Sequence, residues 1–315
     1  MGVMRYSPML CKPVDKPFND KGWRFERKID GTRIILVKHR QNIKLFTRRG
    51  IDRSRQFPEM VEAAQKLSAT SVVLDGELAT TKRVASSFQA LQPRMQQTNP
   101  TIIARLARTV PVVYHAFDIL MLEGKSVTNQ SLVTRKKLLK RLANSTRIKY
   151  LEGVEGKGVA LFAKAKRSGW EGVIGKRKDS RYLQGKRGYG WVKIKTHNEQ
   201  ELVIGGFTRG YGKVARTFGA ILVGYYARGK LKFAGQVGTG FTQTERRRLK
   251  LIMGRLKTSR SPFTDDLDGK GITWVKPQLV GQFKFAEWTN DNILRAPVYL
   301  GLRDDKSAKL VKKEA

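Results

Sequence analysis

Trp23-Arg24-Phe25-Glu26-Arg27-Lys28 alternates apolar and polar side chains, the signature of a strand with one buried face. Ile34-Ile35-Leu36-Val37 and Ile43-Lys44-Leu45-Phe46-Thr47 are two more such segments, and Arg40-Gln41-Asn42 between them reads as a hairpin turn. Ser71 to Leu74 is a short apolar strand running into Asp75-Gly76-Glu77. Val110 to Leu122 carries few charges and reads as a buried strand. Helical spacing takes over in short stretches: Pro58 to Leu67, Ser86 to Met95, Thr101 to Ala107, Thr134 to Leu142 and Gly158 to Ser168. Gly172 to Lys176 and Trp191 to Lys195 are strands flanking a loop rich in Gly, Lys and Arg, and the first twenty residues read as an extended arm punctuated by prolines. The pattern is α+β, with antiparallel sheets and helices.

After about His197 the character changes. Leu202-Val203-Ile204, Phe218 to Tyr226, Leu231 to Val237, Ile272 to Val275 and Gln282 to Glu287 are strand candidates, separated by Gly and polar turns. One helix interrupts them, Thr244 to Leu256, with Thr244 as its cap and Leu249, Ile252, Met253 and Leu256 on one face. Five strands and one helix in ~100 residues suggest a small β-barrel of the OB type. The expected organisation is a first domain over 1–197, an OB-fold domain over 198–306 and a flexible basic tail over 307–315.

Composition narrows the partners. The 315 residues carry 63 Lys+Arg against 26 Asp+Glu, a net charge of +37. Residues 1–197 hold 41 basic and 15 acidic side chains and residues 198–315 hold 22 and 11, so both parts share the positive field. With 40% hydrophobic residues this is a folded chain and not a basic tail. A single cysteine, Cys11, excludes an internal disulfide framework, and His39, His115 and His197 lie too far apart for metal-ligand spacing. No apolar run approaches the ~20 residues of a membrane-spanning helix, and the N-terminus lacks a signal-peptide core. A cytoplasmic protein that meets a polyanion, with nucleic acid the leading candidate, is the expectation.

The sharpest local feature is Lys28-Ile29-Asp30-Gly31-Thr32-Arg33. A lysine at a strand end, followed by Asp-Gly, projects from a sheet edge into a groove. Once deprotonated its amine attacks phosphorus, and nearby cations, a metal or desolvation lower its pKa far enough. Asp30 can orient the lysine or polarise the site. The same residues also suit a surface strand with a tight Asp-Gly turn, and the segment alone does not separate the two.

Other segments follow in order. They are Thr47-Arg48-Arg49-Gly50, Asp75-Gly76-Glu77, Phe117-Asp118, Glu171-Gly172-Val173-Ile174-Gly175-Lys176, Lys186-Arg187, Trp191-Val192-Lys193-Ile194-Lys195 and, near the C-terminus, Gly301-Leu302-Arg303-Asp304-Asp305-Lys306. From about Pro8 to Lys306 the series resembles motifs I to VI of the ATP-dependent DNA ligases, members of the covalent nucleotidyltransferase superfamily. Phe233 to Phe241, Phe285 to Thr289 and Tyr299 to Lys306 are most similar to the ligase domain of the bacterial non-homologous end-joining ligase.

The resemblance implies an ATP-grasp-like nucleotidyltransferase domain followed by the OB fold, and it assigns roles. Lys28 would take AMP from ATP as a phosphoramidate, with Glu26 on the same strand face contacting adenine. Arg33 and Arg48 would sit near ribose and the nick phosphate, and Glu77 would bind ribose. Glu171, with Glu77, would serve Mg²⁺ or Mn²⁺, for which carboxylate oxygens suit. Phe117 would stack on adenine, although its apolar neighbours equally suit plain core. Lys193 and Lys195 face one side of a strand, where two like charges are costly unless an anion lies between them. They would hold the α-phosphate and lower the pKa of Lys28. Arg187 would contact ATP from a glycine-rich loop, and Arg303 and Lys306 would orient the leaving pyrophosphate.

The implied activity is sealing of 5′-phosphate/3′-hydroxyl nicks in double-stranded DNA by a stand-alone minimal monomer. It would work without the helical DNA-binding domain of larger ligases and without fused polymerase or phosphoesterase modules. A Ku-like end-binding partner is left open, as are nicks against ends. The rival readings are an RNA ligase or GTP-using capping enzyme, and a non-catalytic basic DNA-binding protein.

Overall fold

The computed structural model describes residues 6–82, 84 and 86–314, with the backbone alone at position 189. The expected arm and tail reach outside these at 1–5 and 315. The chain separates into two compact units, Met1–Thr196 and His197–Ala315.

In the first unit the elements in chain order are β1 (Leu10–Pro13), β2 (Trp23–Arg27), β3 (Thr32–His39), β4 (Asn42–Thr47), α1 (Pro58–Gln65), β5 (Ser71–Thr80), α2 (Ser87–Met95), α3 (Pro100–Thr109), β6 (Val112–Leu122), β7 (Lys125–Ser126), α4 (Leu132–Leu142), β8 (Ile148–Tyr150), β9 (Gly153–Glu155), α5 (Gly158–Arg167), β10 (Gly172–Arg177) and β11 (Arg187–Lys195). They form two sheets. One has the order β1-β11-β10-β2-β9, and the other β4-β3-β5-β6-β7 with β8 set against β6.

Alternation decides which face each sheet buries. Phe25, Val173 and Ile194 point outward from the first sheet and pack on Phe162 and Ala165 of α5. On the second sheet Leu36, Leu74, Tyr114 and Ala116 pack with Met60 of α1 and Leu139 of α4. Met9, Ile35, Val73, Tyr182 and Trp191 join the two inner faces. The charged residues that alternate with these apolar ones are thereby directed inward, sheet facing sheet.

Three sequence expectations change in this unit. The first arm is partly a strand: β1 pairs parallel with β11, Leu10 opposite Arg187. Asp75-Gly76-Glu77 does not follow a short strand but lies inside β5, a ten-residue strand buried on both faces. Gly76 is there because the sheet is crowded and not because the chain turns: a Cβ would lie 2.5 Å from the Tyr114 ring. Arg187 opens β11 instead of sitting in the loop, and its guanidinium donates to the Cys11 carbonyl.

The second unit holds β12 (Asn198–Thr208), β13 (Ile221–Ala227), β14 (Lys230–Val237), α6 (Gln243–Gly254), β15 (Ile272–Phe285) and β16 (Val298–Arg303). Its sheet order is β14-β13-β12-β15-β16. The two ends meet at one parallel bridge, Thr239 with Val298, where the Tyr299 N–H donates to the Thr239 carbonyl at 3.0 Å. This is the OB connectivity with its helix between the third and fourth strands. The five strands do not close into a barrel by a ladder; among the described residues that bridge joins the two ends.

Ile272 to Val275 and Gln282 to Glu287, read as two strands, belong to one, β15. Pro277 interrupts the pattern but falls where the register to β12 slips, between Leu279 and Trp274, so no ladder bond needs its missing N–H. The cap of α6 is Thr242, not Thr244. Its Oγ1 accepts the Glu245 N–H at 3.1 Å, the Thr-x-x-Glu arrangement of a capping box.

The tail is not loose. Val311 is fully buried, its carbonyl accepts the Tyr226 N–H, and Gln200 bonds the backbone of Lys312 and Glu314. A Lys-rich composition hid the one apolar anchor. Val311→Asp is expected to destabilise the second unit by roughly 3 kcal/mol, because it buries a charge without a partner. Denaturant unfolding of the variant checks this.

Candidate active site

β2 carries Arg24, Glu26 and, just past its end, Lys28 along one face. Cross-strand register continues that face: Glu26 stands opposite Ile174 of β10, which stands opposite Lys193 of β11. Arg24, Lys176 and Trp191 form the next row, and Lys195 lies opposite Gly172. Lys28 is tied in by its N–H to the Gly172 carbonyl at 2.9 Å, and its ammonium pairs with Glu171. The Lys28 and Glu171 side chains keep 21% and 13% of their surface exposed, so the amine is held but reachable.

Glu26 is buried between two ammonium groups, Lys136 of α4 at 2.6 Å and Lys176 at 2.7 Å. Burial alone raises its carboxyl pKa, but the two lysines outweigh it and hold the group below its ordinary value. Burial draws Lys136 down to about 8, with Glu26 opposing.

The second sheet supplies the facing wall. Arg33 makes a two-pronged bond to Asp75, at 2.9 and 2.6 Å, and Tyr182 donates to the same carboxylate at 2.5 Å. The Phe117 ring lies under this group: the Arg33 guanidinium is 5.3 Å and the Lys176 ammonium 4.4 Å from its centroid. Trp191 meets Phe117 edge to face at 6.0 Å. Arg33, Lys176, Lys193 and Lys28 all act electrostatically on Cys11, lowering a thiol pKa that burial raises. Arg33 and Lys176 thus meet at Phe117, and Lys193 shares the inner sheet face that also carries Lys28.

Glu77 lies directly across from Arg33 on β3 and from His115 on β6. Burial, then Arg27 and Lys149, lowers His115 to about 4. A neutral His115 favours the fold, so this contribution is complete above pH 6.5 and fades as pH falls through about 4. His115→Phe should therefore flatten the stability–pH curve in that window by up to about 1.4 kcal/mol per pH unit. Thermal unfolding between pH 4 and 7 measures it.

The structure does not bring every expected residue to this point. Asp30 turns away from Lys28: its carboxylate accepts the Ser87 and Phe88 N–H groups, at 2.6 and 3.2 Å, at the start of α2. It anchors a helix, satisfying donors that have no partner within the helix. Asp30→Ala should destabilise the first unit by about 1–2 kcal/mol, and Asp30→Asn, which retains an acceptor, by less. Arg48 lies in the turn after β4. Arg303 and Lys306 belong to the second unit, where Arg303 binds Asp305 at 2.6 and 2.5 Å and Lys306 binds Glu201 at 2.6 Å.

Sequence reasoning missed Lys176, Lys136 and the Asp75–Tyr182 pair. Lys176 was within reach, since it shares the strand face of Ile174 by alternation. Lys136 comes from a helix 110 residues beyond Glu26, and no local spacing announces it.

An α+β unit with facing sheets around a lysine, followed by an OB-fold unit, defines the architecture of the covalent nucleotidyltransferases. The model of the ATP dependent DNA ligase domain matches residues 8–195, and that of the ATP dependent DNA ligase C terminal region matches 214–306. Over 296 residues the chain is 39% identical to the multifunctional non-homologous end joining DNA repair protein LigD of Mycobacterium tuberculosis, covering 93% of this chain and 37% of that protein. A mycobacterial DNA ligase D complexed with ATP and MES superposes with a TM-score of 0.70 at 34% identity, covering 98% of both chains. The ligase domain from M. tuberculosis LigD gives 0.53 at 36% identity, again over 98% of both. The chain belongs to the ATP-dependent DNA ligase family. It spans little more than a third of the length of the curated relatives it matches first.

Proposed function

We propose that this protein seals 5′-phosphate/3′-hydroxyl nicks in double-stranded DNA, in repair or end joining, at the expense of ATP. The observation that carries the reading is one inner sheet face bearing Lys28, Lys176 and Lys193, with Lys176 and Arg33 on the Phe117 ring and Lys28 on a carboxylate. Lys28 Nζ, its proton lost, attacks the α-phosphorus; an N–P bond forms, the bond to the bridging oxygen breaks, and pyrophosphate leaves. Glu171 positions the amine. Lys193 and Lys195 hold the phosphate, Phe117 and Glu26 the adenine, and Glu77 the ribose. AMP then passes to a 5′-phosphate, and the 3′-hydroxyl displaces it to close the nick.

Among the described residues no three His, Cys, Asp or Glu side chains could cage a metal ion. Mg²⁺ commonly needs only one or two carboxylates together with substrate phosphates, and Glu171 and Glu77 would supply them. Bound there, the ion would neutralise phosphate charge. Arg48, Arg187, Arg303 and Lys306 complete the nucleotide contacts, with residues 1–197 as the transferase domain and 198–306 as the OB domain. The protein works as a monomer in the cytoplasm, with or without a Ku-like partner. No helix among the described residues is long and apolar enough to cross a membrane.

The test is to mix protein, α-labelled ATP and Mg²⁺, then add nicked DNA. Label is expected on the protein first and then on free AMP, as nicks close. Absence of a covalent label, label from GTP alone, or discharge only by nicked RNA would overturn the reading.

A further inference from the structure

A cavity of about 210 Å³ opens in the first unit on the far side of Glu26 from Lys28. Five cations line it: Arg24, Lys136, Lys137, Lys140 and Lys178. Two carboxylates share it, Glu152 and Glu155, and both are in use. Glu152 lies 3.1 Å from Lys140 and 3.7 Å from Arg24, and Glu155 lies 2.8 Å from Lys178. Positive charge therefore remains in excess. Arg24, Glu26 and Lys28 follow one another along the same face of β2, so the cavity continues the line of the nucleotide site, and the Lys136–Glu26 pair stands between the two.

The lining also limits the occupant. Tyr150 is the aromatic member, but its ring is flanked by cations, Lys136 at 4.2 Å, Lys140 at 5.5 Å and Arg24 at 5.9 Å. The volume is below the ~300–1,000 Å³ of pockets that take drug-sized ligands. What fits is a small anion with several acceptor oxygens, since ammonium and guanidinium donors arranged around a point suit phosphate.

We propose that this cavity is a second anion site, separate from the nucleotide site, that takes a phosphate group, either free or carried on a nucleic-acid backbone. Nothing in the proposal requires ligase activity, and its readout is binding.

The experiment is calorimetric titration of the full chain with inorganic pyrophosphate, in wild type and in Lys137→Ala/Lys140→Ala. Both lysines are exposed and lie outside the proposed catalytic set, so the variant should unfold at the wild-type temperature. Loss of two charge-assisted contacts is expected to weaken binding at least ~tenfold. A second variant, Lys140→Glu, should weaken it further. Repeating the wild-type titration with saturating nicked duplex separates the sources: persisting heat assigns the site to a free anion, and lost heat assigns it to a DNA phosphate. No binding by wild type at millimolar pyrophosphate overturns the proposal. Equal binding by the variants overturns it too, because the anion then sits with Lys193 and Lys195 instead.

Discussion

Lys28→Ala is expected to leave no covalent label on the protein from α-labelled ATP, a loss on the order of the 10⁶-fold seen when other covalent nucleophiles are removed. The lysine sits at the end of β2, tied by its own N–H to Gly172, with its ammonium on Glu171. Lys176 is sealed under Glu26, and Lys193 and Lys195 lie on a neighbouring strand. Lys28→Arg should fail equally, since a guanidinium stays protonated and cannot attack phosphorus. Both variants should still close a nick whose 5′ end already carries AMP, because the last step uses the DNA hydroxyl and not the lysine. Autoradiography of the protein and gel separation of pre-adenylated DNA read the two outcomes. Label on Lys28→Ala would place the nucleophile elsewhere.

Arg135→Met is expected to destabilise the first unit by about 3–5 kcal/mol, the cost of leaving one partner of a buried ion pair uncompensated. Arg135 and Asp118 are both fully buried and joined by two bonds, at 2.7 and 3.0 Å. The same guanidinium donates to the carbonyls of Gln130 and Ser180, at 2.6 and 2.8 Å. One side chain thus fastens α4, β6 and the segment after β10. At 2–4 °C per kcal/mol the melting temperature should fall by roughly 6–20 °C. The double variant Asp118→Leu/Arg135→Met should recover much of the loss, since apolar replacement of a whole buried pair is often close to neutral. If both single variants and the double lose equally, the two residues do not act as a pair.

Much of the site could be read from strand alternation. Glu26, Lys193 and Lys195 sit on the face that the pattern of their strands assigns, and Phe117 is both core-lining and partly open, as its mixed neighbourhood suggested. Alternation says which residues share a face, but not what stands opposite. Asp30 lies two residues from Lys28, yet its carboxylate goes to the α2 backbone, 57 residues away. Arg33 looked like a phosphate ligand and is engaged by Asp75, 42 residues on. Such pairings are set by sheet order and helix docking, which no local window contains. The edges of elements were hidden by single residues with a second use. Gly76 lies where β5 is crowded against Tyr114, and Pro277 falls at a register slip inside a strand that had been read as two. The tail looked unstructured because three lysines and a glutamate outweigh Val311 in composition, whereas burial is decided by one well-placed side chain.

In the proposed reaction Arg303 and Lys306 would act as ion exchangers, because each already holds a carboxylate. Each phosphate oxygen they gained would be a contact given up by Asp305 or Glu201. Binding there is a difference between two similar attractions, so it favours ligands of higher charge density than a carboxylate and passes over weaker anions. A polyphosphate meets that condition, and chloride or acetate does not.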